Sequence, residues 1–316
     1  MDMVRLGRTG VEVSVAGLGC GGASRLGMAR GASAEEAADI VRLALDLGIT
    51  FIDTARAYGT EEAVGLGLKG RRDGVFVSTK ASPTRGGVGG AELLTAAELA
   101  HSIEQSLQRL QTDRIDLFNL HGVQLAHYDH CVETLVPELE RQQQAGKIRF
   151  LGLTEQFGRD TRHETLGRAV PDGRFDVVMV GFNLLNPSAR KAVFPLTQAN
   201  DVGTLIMFAV RRALSDPATL REVVAKLMDS GQVGSGVLDP GDPLGFVESH
   251  PQVSSLVQAA YRYCRHEPGA NVILTGTGSG AHLEENVRSI LAPPLPKELL
   301  ERLDLAFGKV DSVSGN

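Results

Sequence analysis

Strand-like and helix-like segments alternate along almost the whole of this chain. The strand candidates are eight short apolar runs, at residues 15–19, 49–52, 75–80, 115–121, 148–153, 175–180, 203–208 and 271–274. Except for the last, successive runs start roughly 25–40 residues apart, which suits one strand and one crossover helix each. The simplest solution to this alternation is a closed parallel (β/α)8 TIM barrel. We therefore predict an α/β fold in which residues 1–316 form a single barrel domain.

Helix signals occupy the segments between these runs. Ser33-Ala-Glu-Glu36 is a capping box, which predicts a helix that starts after Ser33 and is stopped by Gly48. Further helices are predicted at Glu61–Leu68, Ala96–Leu110, 132–144, 164–170 and 189–198.

Three segments lie outside the regular alternation. Residues 4–14 surround the turn Gly7-Arg-Thr-Gly10 and predict an N-terminal β-hairpin. Residues 212–270 contain several Gly and Pro positions and predict an extended loop with helices over one face of the barrel. Residues 297–309 predict an extra C-terminal helix.

An open doubly wound sheet is the alternative fold. It requires a glycine fingerprint after the first strand, and the cluster Gly17-Leu-Gly-Cys-Gly-Gly22 is a weak match. No acid follows the second strand in the register of a dinucleotide fold, because Asp53 has the different interpretation given below. The barrel is therefore favoured.

Composition narrows the class of protein. Apolar residues make up 42% and charged residues 22%, so a well-buried core is expected. The net charge is −6 and no Lys/Arg run exists, which argues against a nucleic-acid partner, as does the absence of Trp. The three cysteines lie far apart and predict no disulfide framework. Neither a signal pattern nor a long apolar run is present, so we expect a soluble cytoplasmic protein without a membrane partner.

Four chemically active side chains follow three consecutive predicted strands. Asp53 and Tyr58 come after the second strand, Lys80 ends the third, and His121 ends the fourth. Because a barrel keeps its chemistry at the C-terminal ends of its strands, these residues are expected to share one pocket. Each residue alone has an ordinary structural interpretation; their joint placement is what points to catalysis.

The four residue types suit proton transfer. A phenol has a reference pKa of about 10, and a neighbouring ammonium lowers it, so Lys80 is expected to activate Tyr58. Asp53 would fix Lys80 and compensate its burial. His121 would hydrogen-bond a substrate oxygen beside the phenol. Such a set can protonate a carbonyl oxygen as hydride arrives, or deprotonate an alcohol as hydride leaves.

The segment Gly48-Ile-Thr-Phe-Ile-Asp-Thr-Ala-Arg-Ala-Tyr-Gly59 resembles the signature of the aldo-keto reductases. The resemblance is collinear over nearly the whole chain, through Leu6-Gly-Arg-Thr-Gly10, Leu18-Gly-Cys-Gly21, Ser102-Ile-Glu-Gln-Ser-Leu-Gln-Arg-Leu110, Asp113-Arg-Ile-Asp-Leu117, Gly146-Lys-Ile-Arg-Phe-Leu-Gly152, Phe182-Asn-Leu-Leu-Asn186, Gly276-Thr-Gly-Ser279 and His282-Leu-Glu-Glu-Asn286. It implies a barrel that binds NADP(H), less often NAD(H), without a Rossmann fold. It also implies Tyr58 as the general acid/base, tuned by Lys80 and Asp53, with His121 orienting the carbonyl.

The resemblance further implies a set of cofactor contacts. After the eighth strand, Gly276-Thr277-Gly278 precedes a helix whose first backbone N–H groups suit a phosphate. Glu285 and Asn286 on that helix would hold the adenine. The remaining candidates follow other strands: Gly19, Cys20, Gly21, Asp53, Thr154, Glu155, Gln156 and Phe208.

Departures from the family pattern cluster around the expected nicotinamide. Relatives often carry Ser-Asn after the fifth strand, where this chain has Thr154 and Glu155. An ionised Glu155 can only accept a hydrogen bond, so Gln156 would supply the donor to the amide oxygen. A glutamine expected on the sixth strand aligns with Met179. Either Phe208 or Val210 stands near the position of the usual stacking aromatic.

The basic residues expected to bind a 2′-phosphate are not evident after the eighth strand. His282 stands where an arginine often stands, and Arg211 and Arg212 either substitute for it or form a solvated pair. NADP is therefore the favoured cofactor, because the family that the chain resembles uses it more often, and NAD is the other possibility.

The expected activity is interconversion of a carbonyl and an alcohol on a small aldehyde, ketone or sugar. One alternative is a cofactor-binding regulatory or subunit protein with little activity. Another is a metal-dependent barrel hydrolase, which needs His and Asp ligands on strand ends, where only His121 fits. His127, His130 and Cys131 have a metal-like spacing but lack a further ligand pair, so no metal is expected. Cys20 has no evident base partner and is not expected to act as a nucleophile. The substrate, the direction of reaction and the oligomeric state stay open.

Overall fold

Eight parallel strands close into a barrel in the computed structural model, which describes residues 1–316. An antiparallel hairpin, β1 and β2, precedes the barrel, and the last strand pairs with the first to close it. Both features were predicted. The strands are β1 Met3–Arg5, β2 Glu12–Ser14, β3 Ala16–Gly19, β4 Phe51–Asp53, β5 Phe76–Ala81, β6 Ile115–Val123, β7 Ile148–Glu155, β8 Val177–Gly181, β9 Gly203–Met207 and β10 Val272–Thr275.

Helices surround the barrel and carry the chain from each strand to the next. They are α1 Ala34–Asp46, α2 Glu61–Leu68, α3 Ala96–Leu110, α4 Tyr128–His130, α5 Val136–Gln144, α6 Glu164–Asp172, α7 Ala189–Ala192, α8 Phe194–Ala199, α9 Pro217–Asp229, α10 Gly245–Glu248, α11 Leu256–Arg265, α12 Gly280–Ile290 and α13 Lys297–Phe307. The predicted capping box at the start of α1 is confirmed, since Ser33 and Glu36 bond reciprocally to each other's backbone N–H. None of these helices is long and apolar enough to span a membrane.

Two predicted helices differ from the structure, and proline accounts for one difference directly. The helix expected over 189–198 is divided at Val193, because Pro195 has no N–H to continue the ladder and instead lies in the first turn of α8, which begins at Phe194. The helix expected over 132–144 begins earlier, at Tyr128, and passes through a π-helical turn at Cys131–Leu135 before α5. That turn comes just before Pro137, where the missing donor makes a looser turn possible.

The barrel interior is apolar at one end and polar at the other. Leu6 and Val13 of the hairpin region pack with inward-facing side chains of the strands to form a small dry cluster, which also contains Phe51, Phe76, Leu117, Val177, Met179, Leu205 and Val272. The hairpin therefore closes the N-terminal end of the barrel. Polar groups fill the interior towards the C-terminal ends of β3–β10, which we call the mouth.

Candidate active site

A fully buried ion pair joins the ends of β4 and β5. The Lys80 side chain is 0% exposed, and its Nζ donates to Asp53 Oδ1 at 2.7 Å, Asp53 Oδ2 at 2.6 Å and the Thr54 carbonyl at 2.8 Å. All three ammonium protons are therefore used. Burial lowers the pKa of Lys80, but Asp53 and, after it, Tyr58 raise it, so that this pKa lies above its usual value. The lysine is thus held as a cation inside the protein.

Asp53 is supported from the neighbouring strands. Ser78 Oγ donates to Asp53 Oδ1 at 2.8 Å, and Asn119 Nδ2 donates to Ser78 Oγ at 3.0 Å. The parallel register explains this chain of bonds, because Asp53 lies beside Ser78 on β5, and Lys80 lies beside Asn119 on β6. Burial raises the pKa of Asp53, while Lys80 opposes the rise. The carboxylate is fixed in position by two partners, Lys80 and Ser78.

Tyr58 lies over this ion pair, on a short 3-10 turn after β4. Its ring centroid is 5.0 Å from Lys80 Nζ, and its hydroxyl is 3.4 Å from His121 Nε2. Burial raises the pKa of Tyr58, and Lys80 only partly offsets the rise. This differs from the expected net lowering, because removing the phenol from water counts for more than the nearby cation. At neutral pH Tyr58 is therefore a proton donor.

His121 faces Tyr58 from β6. The two rings meet edge to face, with centroids 5.5 Å apart. Burial, with a smaller contribution from Lys80, lowers the pKa of His121 to about 3. Its imidazole is thus neutral at physiological pH and has one donor and one acceptor nitrogen. The structure brings together all four residues predicted to carry chemistry.

Gly21 gives the tyrosine ring its space. A Cβ atom at Gly21 would lie 2.7 Å from Tyr58 Cε2, closer than such atoms approach each other in proteins. The neighbouring Cys20 is buried, and its backbone N–H donates to the Asp53 carbonyl at 2.8 Å. Burial raises the pKa of the Cys20 thiol, so it remains uncharged. Gly19, Cys20 and Gly21 therefore form part of the wall behind Tyr58 and Asp53.

The loop after β10 meets the loop after β3 through glycines. A Cβ at Gly276 would lie 2.5 Å from the Gly19 carbonyl oxygen, and one at Gly278 would lie 2.4 Å from Gly27 N. Both glycines are exposed and lead into α12, whose first turn is capped by Ser279. The side chain of Thr277 accepts from the Ser279 N–H at 3.1 Å. This is the helix start at which a phosphate was predicted.

On α12, the two adenine candidates differ in their surroundings. Glu285 is exposed. Asn286 is half-buried, and its Nδ2 donates to Thr275 Oγ1 at 2.9 Å. That bond holds the amide of Asn286 in a fixed orientation beside the end of β10, with its oxygen left to accept.

Glu155, at the end of β7, is enclosed by protein. Its side chain is 0% exposed; Oε1 accepts from the Gly181 N–H at 2.7 Å, and Oε2 lies 2.9 Å from His163 Nδ1. Burial raises its pKa, which His163 opposes. Glu155 therefore presents no open oxygen to a ligand, which differs from the expected direct contact with an amide. Its neighbour Thr154 also bonds within the protein, accepting from Gly122 N at 2.7 Å.

His163 was not identified from the sequence. It has a positive φ of 63° just before α6, stacks on Phe157 with centroids 5.2 Å apart, and places Nε2 3.0 Å from Ser188 Oγ. The available signal was Glu155 itself, since a carboxylate in an apolar strand needs a buried partner. Nothing in the local sequence pattern singles out His163 as that partner.

Phe208 follows β9 with a positive φ of 68°, which is unusual for an aromatic residue. One face of its ring is covered by Arg211, whose Cζ lies 3.8 Å from the ring centroid. Phe157 stands 6.1 Å away in a tilted arrangement. Met179 is not at the mouth with these groups but lies in the closed apolar cluster below it.

Three polar atoms from the predicted site are buried and have no hydrogen-bond partner: Gln156 Oε1, His121 Nδ1 and Arg211 Nε. Exposed backbone at Gly276 and Gly278 adds the start of α12 to this set. An amide, hydroxyls and phosphates are the groups that would satisfy such atoms. The residues present therefore fit a nicotinamide dinucleotide. No group of three or more His, Cys, Asp or Glu side chains is arranged to hold a metal ion.

Comparison with known proteins identifies the family of this chain. The Aldo/keto reductase family model matches residues 17–306. The chain is 28% identical to L-galactose dehydrogenase of Arabidopsis thaliana, covering 92% of this chain and 88% of that protein. It is also 28% identical to aldo-keto reductase YhdN of Bacillus subtilis, covering 90% and 87%. The holo form of aldo-keto reductase AKR11C1 from Bacillus halodurans superposes with a TM-score of 0.75 and 26% identity, covering 97% and 96%. The chain thus belongs to the aldo-keto reductase family, which makes it an oxidoreductase of the carbonyl and alcohol type.

Proposed function

We propose that this protein interconverts a carbonyl and an alcohol by hydride transfer with a nicotinamide cofactor, and that Tyr58 is its general acid/base. One observation carries the proposal. The Tyr58 hydroxyl lies 3.4 Å from His121 Nε2 and above the buried ion pair of Lys80 and Asp53. A phenol, a neutral imidazole and a buried ammonium at one point of the mouth suit proton exchange with a substrate oxygen.

In the reducing direction, Tyr58 gives its proton to the carbonyl oxygen. The phenolate left behind is stabilised by the Lys80 ammonium, which is already desolvated; the Asp53 charge opposes part of this stabilisation. Asp53 keeps that ammonium charged and in place. His121, neutral because burial lowers its pKa to about 3, can donate a hydrogen bond to the same oxygen and so hold it beside Tyr58. In the oxidising direction, the phenolate takes the alcohol proton.

The cofactor, when bound, supplies or accepts the hydride. We propose NADP, with NAD as the alternative. The residues that would hold it are Gln156 and Phe208 near the nicotinamide, Gly276, Thr277 and Gly278 at the phosphates, and Glu285 and Asn286 at the adenine. Glu155 and Thr154 would act indirectly, by fixing the backbone at Gly181 and Gly122.

The proposed substrates are small aldehydes, ketones and sugars. Similarity to a protein named L-galactose dehydrogenase supports starting with free aldoses, L-galactose among them. At 28% identity the loops that shape a substrate pocket are free to differ, so simple activated aldehydes belong in the same screen.

The first test is a titration of the purified protein with NADPH and, separately, NADH, followed through cofactor fluorescence. Binding of one would identify the cofactor for a substrate screen. Tyr58→Phe should then bind the cofactor as tightly as the parent protein and lose turnover with the best substrate. Unchanged turnover would refute the mechanism.

A cofactor-binding protein with little activity is the second candidate. The specific observation in its favour is that the Glu155 carboxylate is enclosed and Met179 lies below the mouth, so two usual nicotinamide contacts are missing. Tight NADPH or NADH binding without turnover of any aldehyde, ketone or sugar would favour this candidate. Binding of neither would refute both.

A further inference from the structure

Arg211 is a half-buried cation without a counter-ion. Its side chain takes part in none of the ion pairs or hydrogen bonds of the protein, and its Nε is enclosed without a partner. Burial lowers its pKa. The adjacent Arg212, by contrast, is exposed and lies 3.6 Å from Asp216. Taking an unpaired charge out of water is costly. We therefore expect Arg211 to bind an anion that a ligand supplies.

The position of Arg211 shows which part of a ligand it can reach. Its guanidinium covers one face of the Phe208 ring, 3.8 Å from the centroid. Phe208 is the aromatic residue proposed to stack on the nicotinamide. In a nicotinamide dinucleotide the diphosphate is one ribose away from this ring, whereas a 2′-phosphate is on the adenosine ribose beyond the diphosphate. An arginine beside Phe208 is therefore nearer the diphosphate.

We propose that Arg211 binds the diphosphate of the dinucleotide and that, without ligand, its guanidinium occupies the face of Phe208 that the nicotinamide takes. This rests on the proposed function. Binding moves the guanidinium from the ring to the phosphates, where a planar fork of donors makes paired hydrogen bonds to oxygen atoms. One side chain thus protects the apolar ring face before binding and anchors the ligand afterwards.

The C-terminal tail packs against the Cβ of Arg211 and leaves its guanidinium uncovered by the tail. A Cβ at Gly315 would lie 3.1 Å from Arg211 Cβ, so the tail passes directly beside it. The Gly315 carbonyl accepts from Ala213 N at 3.0 Å, and Asn183 Nδ2 donates to the Ser314 carbonyl at 3.2 Å. The tail therefore packs against the start of the side chain, and the proposed movement involves only the end that carries the guanidinium.

The test is calorimetric binding to Arg211→Met, with Arg212→Met as the matched control. The probes are ADP-ribose, which has the diphosphate and no nicotinamide, adenosine 2′,5′-bisphosphate, which has a 2′-phosphate and no diphosphate, and the preferred dinucleotide. Losing a charge-assisted hydrogen-bonded pair should weaken ADP-ribose and dinucleotide by about 10- to 100-fold. Binding of adenosine 2′,5′-bisphosphate should not change, and Arg212→Met should bind all three like the parent protein.

Other outcomes overturn the proposal in distinguishable ways. Equal ADP-ribose affinity in the parent and Arg211→Met refutes it and leaves the proposed function intact. A loss confined to adenosine 2′,5′-bisphosphate assigns Arg211 to the 2′-phosphate, and a loss seen only in KM for acidic substrates assigns it to the substrate. If the parent binds no nicotinamide dinucleotide, the proposed function falls as well. Arg211→Lys keeps the charge, so it should lose less affinity and serves if Arg211→Met fails to fold.

Discussion

Replacing Asp53 by Asn removes one charge from the ion pair at the centre of the site and changes little in shape. Lys80 is 0% exposed and has no acceptor apart from Asp53 and the Thr54 carbonyl, so its ammonium would be left without a counter-ion. Breaking a buried pair in this way costs about 3–5 kcal/mol. At roughly 2–3 °C per kcal/mol for a large domain, the melting temperature should fall by about 6–15 °C.

The same change should alter the chemistry. Asp53 is the group that contributes most to raising the pKa of Lys80 against the effect of burial. Without it, burial lowers that pKa and Lys80 can shed its proton, which removes the charge proposed to stabilise the Tyr58 phenolate. Turnover in the Asp53→Asn variant should therefore fall even at temperatures where the variant is fully folded.

The assay is a thermal unfolding series on the parent, Asp53→Asn, Lys80→Met and the double variant. Removing both charges leaves no uncompensated ion, so the double variant should recover much of the stability that each single variant loses. If Asp53→Asn melts within a degree or two of the parent, the argument that Lys80 is left as an uncompensated buried charge is wrong. Fully additive losses in the double variant would also contradict the argument, because they would mean that the two side chains do not interact.

Three further predictions concern the surrounding residues. Gly21→Ala should push the Tyr58 ring out of place and lower kcat by at least about tenfold, whereas Gly158→Ala, where a Cβ meets nothing, should have no effect; steady-state kinetics on both would decide. The value of kcat/KM for reduction should stay flat between about pH 6 and pH 9, because the pKa of His121 is lowered and that of Tyr58 is raised beyond this range; a titration near pH 6.5 would contradict it. His163→Ala should leave a buried carboxylate without its partner and cost about 3–5 kcal/mol by denaturant unfolding; a loss under 1 kcal/mol would argue against the pair.

The barrel and the four central residues were predictable because their signals are local. An apolar run followed by Asp53, Lys80 or His121 fixes both a strand and the end at which its chemistry lies. The capping box at Ser33 and Glu36 likewise marks a helix start through neighbouring residues alone. A barrel then brings the strand ends together whatever the lengths of the connecting loops.

The features that the sequence did not predict depend on the burial of a side chain or on partners that lie far away in the chain. The pKa of Tyr58 was expected to fall because Lys80 is near, but its sign depends on how deeply the phenol is buried. Glu155 was assigned to a ligand because its partner, His163, comes from an irregular loop and reaches it through a positive φ. Arg211 stacks on Phe208, a residue with a positive φ, and neither feature is visible in the periodicity of the sequence.

The two buried carboxylates at the mouth meet the same physical requirement with different consequences. Asp53 forms its ion pair with Lys80, which lies on the next strand. The ammonium of Lys80 also lies under the Tyr58 ring, where a reaction could use its charge. Glu155 takes His163 from a loop and uses its other oxygen to fix the backbone at Gly181, so its charge is enclosed. The β4–β6 side of the mouth therefore has the groups that the proposed proton transfer requires. The β7–β10 side contains Arg211, which stacks on Phe208 but has no counter-ion, and this is the property expected of a surface that binds an anionic ligand.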